Sequence, residues 1–282
     1  MTSQSKGVII FAYNSGFDYV KIANLAAALA KKHLKLPITI VTDEAGVDLV
    51  DTSIVQNILV TADGKGHRRS FKIDNKIINM EWKNFSRSDV YNLSPYEETL
   101  MIDCDYLIFN DSLLKLFGTD EDFLCHDSVL DLTGKDTFSN DKRIAQFSLP
   151  MLWATVVYFR KSETAEGIFE MMKMVKDNYD FYSAMYGFHK APYRNDFALS
   201  IAYATINGYN TRNNKFIPWD LATLSTDTRL ISITADGQTV YTYTSSNSGV
   251  FVGNMSNMNL HIMNKSDIEE HLDTIMNYAK SV

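Results

Sequence analysis

The chain is short of several things, and each shortage removes a class of protein. Two cysteines, Cys104 and Cys125, give no disulfide framework, so the fold must stand on its core and a reducing compartment is the simplest setting. Five prolines and thirteen glycines among 282 residues leave no room for long linkers or repeats of low complexity. No run approaches the roughly 20 apolar residues of a membrane span, and the polar opening residues 1–6 do not read as a signal peptide. A cytoplasmic protein without membrane contact is expected. No P-loop and no glycine-rich phosphate loop occurs, which argues against the common phosphoryl-transfer folds.

What is present is an ordinary globular composition, 45% hydrophobic and 22% charged, with a net charge of −7. The charge is uneven. Residues 65–87 hold Lys65, Arg68, Arg69, Lys72, Lys76, Lys83 and Arg87 against Asp74 and Glu81, a balance of 7 − 2 = +5, so the remainder carries −12. A basic island on an acidic body suits a phosphate-bearing ligand, whether a nucleotide or a nucleic acid; a solvated loop is the plainer reading.

The N-terminal pattern predicts an α/β fold. The apolar run GVIIFA at 7–12 has the continuity of a strand covered on both faces. Apolar residues at helical spacing follow from Asp18, the expected N-cap, to about Leu34, with Pro37 as breaker. ITIVT at 38–42 is the next strand, which completes a βαβ unit and begins a mostly parallel sheet with helices on both faces. Further strands are expected at 56–60, 99–103 and 155–159, helices at 163–179 and 195–207, a hairpin within 228–252, and a short strand at 260–263. A last helix is expected from Ser266, its expected cap. The chain therefore divides into an α/β half at 1–110 and a mixed α+β half at 111–282, fused in one domain.

An Asp-x-Asp triplet is weak as a string. The chain has 24 aspartates, enough to give about two such triplets by chance, and two occur, Asp103-Cys104-Asp105 and Asp120-Glu121-Asp122. Only the first follows an apolar strand, at the carboxyl end where open parallel sheets bind ligands. Two carboxylates there can hold Mn²⁺ or Mg²⁺ together with phosphate oxygens. The second triplet reads as a loop or helix cap. By the same rule Tyr13, Asn14, Thr42 and Asp43, at the ends of the first two strands, are candidates for base and ribose; Asp43 reads equally as a turn residue. Arg87, with Arg69 in reserve, is a candidate to neutralise a diphosphate. His126 and Asp127 could line the cleft.

The stretch TLMIDCDYLI at 99–108 resembles the metal-binding strand of GT-A glycosyltransferases, above all the glycogenin-like family. Three further segments fall in that family's order: 153–160 (WATVVYFR), 194–200 (RNDFALS) and 260–265 (LHIMNK). The resemblance implies a GT-A-like fold, a UDP-sugar or similar donor, and a metal shell of Asp103 and Asp105 completed by His261. It also places Lys265 on the diphosphate and Asp196 facing the transferred sugar, or acting as general base if the reaction inverts. The chain departs from the family in Trp153-Ala154, in Asn195-Asp196, and in lacking the glycine and Pro-Trp that accompany the late lysine. Residues 82–97 are similar to glycosyltransferase-like proteins encoded by phages. Together with the basic island this makes a 5-hydroxymethylated pyrimidine in phage DNA the expected acceptor. A glycan- or protein-modifying transferase and a non-catalytic nucleotide-binding module are the competing readings.

Overall fold

The run at 7–12 forms the middle of a six-stranded sheet. The computed structural model describes residues 4–62, 67–73, 76–82, 84–135, 137–189, 191–234, 238–245 and 249–281, and between 67 and 86 the backbone only. Strand β1 (Gln4–Phe11) leads to helix α1 (Tyr19–Leu34) and strand β2 (Ile38–Thr42). Asp18 caps α1, its carboxylate accepting from the Lys21 amide at 3.0 Å, and Lys35 closes the helix in the left-handed conformation before Pro37. Strand β3 (Asn57–Val60), a hairpin of β4 (His67–Ile73) and β5 (Lys76–Trp82), and the short helix α2 (Val90–Leu93) follow. Then come β6 (Tyr96–Ile102), β7 (Tyr106–Leu107), β8 (Phe123–His126), β9 (Val129–Asp131) and β10 (Trp153–Arg160).

The large sheet runs β3-β2-β1-β6-β10-β8. The first three pairings are parallel; β10 lies antiparallel to both β6 and β8. The expected mostly parallel sheet is present, and strands from either side of residue 110 share it. Val8, Ile9, Ile10, Leu100, Met101 and Ile102 are all buried, so both faces of the central strands are covered.

The C-terminal half supplies α3 (Glu163–Asp177), α4 (Tyr179–Met185) and α5 (Asn195–Ile206). The helix expected over 163–179 divides at Asn178, whose backbone leaves the helical region. Helix α3 packs on α5, and α5 on β10. A second sheet, β7-β15-β11-β9, is assembled from β11 (Leu221–Leu224) and β15 (Leu260–Ile262) with the two short strands named above. Between them β12 (Thr228–Ile233), β13 (Gln238–Ser245) and β14 (Gly249–Ser256) form a three-stranded antiparallel meander in place of the expected hairpin. The chain ends in α6 (Lys265–Glu270) and α7 (Leu272–Lys280), α7 packing on α1. Ser266 is not the cap expected of it. Asn264 occupies the cap position, so Ser266 falls inside the first turn. Among the described residues no helix is long and apolar enough to cross a membrane.

Gly7 sits under the ring of Tyr96, whose hydroxyl shares a buried 2.7 Å hydrogen bond with Thr39 Oγ1. A Cβ at Gly7 would lie 2.3 Å from the Tyr96 ring. Gly7→Ala is therefore expected to lower unfolding stability by about 1–3 kcal/mol. Urea denaturation should show Tyr96→Leu recovering part of that loss in the double variant.

Candidate active site

The candidate site forms where β6 ends. The Asp103 amide donates to the Thr155 carbonyl of β10 at 2.8 Å, and the Tyr106 amide returns to the Asp103 carbonyl at 3.1 Å. This tight turn holds Asp103 and Asp105 on one side. The Asp105 carbonyl accepts from the Ile262 amide at 3.0 Å, which brings β15 alongside. Asp103, Asp105 and His261 thus come together, with one ligand atom from each lying within 4.8 Å of the others. Two carboxylate oxygens and an imidazole nitrogen suit a divalent cation such as Mn²⁺ or Mg²⁺. The buried Nδ1 of His261 has no hydrogen-bond partner among the described residues, an unmet lone pair or proton that a ligand role would satisfy.

Both aspartates are already held by cations. Arg87, 4% exposed, donates from Nη1 to Asp103 Oδ1 at 2.5 Å and from Nη2 to the Ala154 carbonyl. Lys265 Nζ donates to Asp105 Oδ2 and to the Met263 carbonyl, and His261 Nε2 stands 3.7 Å from the same Asp105 oxygen. The two carboxyls are driven apart. Burial pushes Asp105 up, but Lys265 and His261 outweigh it and hold the group well below the usual carboxylate range. Desolvation in the cleft lifts Asp103, a push that Arg87 opposes and Asp105 reinforces. Burial works against the charge on Lys265, yet Asp105 overrides it and raises the ammonium.

Asp196, the second residue of α5, is fully engaged. Its Oδ1 accepts the Ala154 amide at 2.9 Å and its Oδ2 accepts Arg194 from Nε and Nη2 at 3.1 and 3.0 Å. It is near enough to Asp103 to help raise that carboxyl. A carboxylate with both oxygens held this way suits positioning better than proton abstraction. Arg194 reaches Asp141 as well, at 3.5 Å, and lies over the rings of Phe197 and Trp153. Sequence reasoning gave no role to Arg194 or to the Ala154 peptide. The guanidinium two positions before Asp196 was the available signal.

The donor-side candidates cluster at the ends of β1 and β2. Tyr13 shares a 2.7 Å hydrogen bond with Thr61 Oγ1, and Asn14 binds Asp18 through Nδ2 and the Val20 amide through Oδ1. Asp43 accepts the Gly46 amide at 3.0 Å, a turn contact. Thr42 Oγ1 is buried without a partner among the described residues. Arg69 lies on β4, and its side chain falls outside the described residues, as do those of the other basic residues at 65–83. Asp120 and Asp122 sit at the other end of the sheet, where Asp122 accepts from Arg160 Nη2 at 2.8 Å. They take no part in the site, and the loop reading of this triplet holds.

No family model matches the chain, and no curated protein matches it. Similar solved structures exist. The glycosyltransferase GlyE of Streptococcus pneumoniae TIGR4 is 12% identical over 71% of this chain, with a TM-score of 0.44. This chain covers 44% of GlyE, less than half its length. The galactosyltransferase LgtC, solved with donor and acceptor sugar analogs, is 14% identical over 68% of this chain and 69% of its own, with a TM-score of 0.44. Mouse xyloside xylosyltransferase 1 is 12% identical over 79% of this chain and 89% of its own, with a TM-score of 0.43.

Two outcomes are expected from this geometry. Lys265→Met removes the cation that competes for Asp105 and should tighten Mn²⁺ binding in calorimetric titration, while His261→Ala should weaken it by about tenfold or more. The second concerns His126, 1% exposed, whose Nδ1–H donates to the Trp219 carbonyl at 2.9 Å. Burial lowers its pKa from 6.5 to about 4, so the folded protein keeps it neutral where the unfolded chain takes up a proton. Its contribution is complete above pH 6.5 and lost as pH falls toward 4, a change of about 3 kcal/mol. Denaturation curves across that window should flatten in His126→Gln.

Proposed function

We propose that the chain is a metal-dependent glycosyltransferase that moves a sugar from a nucleotide-sugar, a UDP-sugar above all, to an acceptor hydroxyl. The observation that carries this is the meeting of Asp103, Asp105 and His261 at the carboxyl end of a parallel strand, with two cations at hand. A divalent cation bound there would supply Lewis-acid charge to the departing nucleoside diphosphate. The chain's own groups have separate tasks. Arg87 fixes the rotamer of Asp103. Lys265 can share its charge between Asp105 and a phosphate oxygen, since among the described residues its other contact is the weaker Met263 carbonyl at 3.3 Å. Asp196, held from both sides, presents a fixed edge to the sugar hydroxyls.

In this reading residues 1–110 bind the nucleotide-sugar, joined at its diphosphate by His261 and Lys265, and the rest of 111–282 binds the acceptor, within one domain that acts in the cytoplasm. Tyr13, Asn14, Thr42 and Asp43 line the nucleotide end. The acceptor we favour is a 5-hydroxymethylated pyrimidine in phage DNA. The +5 balance of residues 65–87 supports it, as that segment leads straight into Arg87. The phage-like stretch at 82–97 supports it too.

A panel of UDP- and GDP-sugars, each offered with hydroxymethylated DNA and Mn²⁺ and followed by mass spectrometry, tests the whole reading. Transfer should fall at least about a hundredfold in Asp103→Ala and Asp105→Ala, and chelation should abolish it until Mn²⁺ returns. Full activity after chelation would overturn the metal. Donor cleavage without DNA product would point to a glycan or protein acceptor, and no cleavage of any donor would leave a non-catalytic nucleotide-binding module.

A further inference from the structure

Phe147 is the most exposed large apolar side chain described, 93% open to solvent, and the chain goes to some trouble to hold it there. It stands at the tip of a tight turn between Arg143 and Pro150, which pair as an antiparallel bridge. The Ile144 amide donates to the Leu149 carbonyl at 3.0 Å, the Ser148 amide to the Ala145 carbonyl at 3.1 Å, and the Met151 amide to the Lys142 carbonyl at 3.0 Å. Arg143 Nη1 donates to the Ser148 carbonyl at 2.6 Å, clamping the turn from outside while its charge stays in water. Ile144 is buried and Leu149 packs against the core, so both legs are anchored. An aromatic ring fixed in solvent on a braced turn gains nothing for the fold.

The turn is joined to the candidate site at both ends. Asp141, just before it, takes the Arg194 guanidinium that also holds Asp196. Beyond it, the Leu152 amide donates to Ser200 Oγ of α5 at 2.8 Å, and Ala154 follows two residues later. At most about 14 Å of extended chain separates Pro150 from Ala154.

The surface beside the ring shares its character. A Cβ on Gly187 would lie 3.8 Å from that of Ala145, which sets the turn against the end of α4. There Phe181 and Met185, one helical turn apart on the same face, are 63% and 61% exposed. Tyr186 is tied by a 2.5 Å hydroxyl contact to the exposed Tyr209 beyond α5. Lys142 and Arg143 of the turn are exposed, as are Arg212 and Lys215 in the segment that follows Tyr209. Residues 138–152 and 178–218 carry six Lys and Arg against Asp141, Asp180 and Asp196, a balance of +3 in a chain of −7. Arg194 occupies two of those three acids.

Planar apolar rings among solvated cations match a polymer that offers planar rings on an anionic backbone. We infer that this face docks the acceptor as single-stranded or locally opened nucleic acid, with Phe147 stacking on an unpaired base. This rests on the transferase reading for its proximity to the site, but uses none of the residues at 65–87. A neutral glycan would have no use for the charges, and the exposed lysines among them, Lys142 and Lys215, are of a type that protein interfaces deplete, which favours an anionic polymer over a protein partner.

The test is fluorescence anisotropy of a labelled oligothymidylate with the full chain, with donor cleavage by the wild type measured alongside. Phe147→Ala should weaken binding about tenfold, and Phe147→Trp should restore it. Arg212→Ser should reduce the dependence of log affinity on log salt by about one unit. Thermal melting should leave Phe147→Ala indistinguishable from wild type, since the ring supports nothing. Unchanged affinity in Phe147→Ala would overturn the assignment and leave the ring to a protein or glycan. A wild type that cleaves donor yet binds no oligonucleotide would overturn it while sparing the transferase reading. Ring-dependent binding without donor cleavage would sustain the docking face and remove the transferase.

Discussion

The peptide of Ala154 is the joint on which the candidate site depends. Its carbonyl accepts from Arg87 and its amide donates to Asp196, so one residue of β10 connects the Asp103 side of the cleft to the Asp196 side. Arg87 is buried and carries a full charge, a costly arrangement unless its donors are used. Asp103 and the Ala154 carbonyl use them. Losing either partner would strand a buried guanidinium, at about 3–5 kcal/mol by analogy with broken buried pairs. The backbone is therefore as much a part of the site as the acids. Side-chain changes near residues 153–155 should be read first for what they do to that peptide.

The same economy governs the two aspartates. Carboxylates this close repel, and the protein separates them by environment: Asp105 sits against Lys265 and His261, while Asp103 is desolvated and has Asp196 as well as Asp105 acting against the help of Arg87 and His261. One is firmly ionised and the other is lifted. Added positive charge would relieve the repulsion between them, which is the electrostatic ground for the divalent cation proposed above. Lys265 meanwhile keeps Asp105 satisfied.

Much of this was legible in the residues. The runs at 7–12 and 38–42, with Asp18 as cap and Pro37 as breaker, define β1, α1 and β2 because burial on both faces leaves an unbroken apolar string. The aspartate pair was legible only through its place after β6. What stayed hidden was of two kinds. Strands β7, β9 and β11 have two to four residues each, too few to show a period, so the second sheet could not be anticipated although its strand β15 was expected at 260–263. Contacts through backbone leave no mark on side-chain identity, which is why Ala154 escaped notice. Arg194 was hidden for another reason: its neighbour Asp196 drew the attention that belongs to the pair.

The antiparallel insertion of β10 explains why the two sides of the cleft are built differently. Tyr13, Asn14, Thr42 and Asp43 lie at or just after strand ends, where a parallel sheet offers its ligand site. Because β10 runs the other way, it is its beginning that meets the end of β6, with Val156 opposite Ile102 and the Thr155 carbonyl on the Asp103 amide. Ala154, Thr155 and Asp196 therefore come from a strand start and from the first turn of α5. The segment entering β10 is a surface loop held at its base by Arg194 and at its exit by Ser200, both outside the sheet ladder. Its tip can change in length or chemistry without disturbing a single sheet hydrogen bond. The Asp103 side of the cleft is thus tied to the sheet, while the segment entering β10 can differ without altering it, and Phe147 is at the tip of that segment.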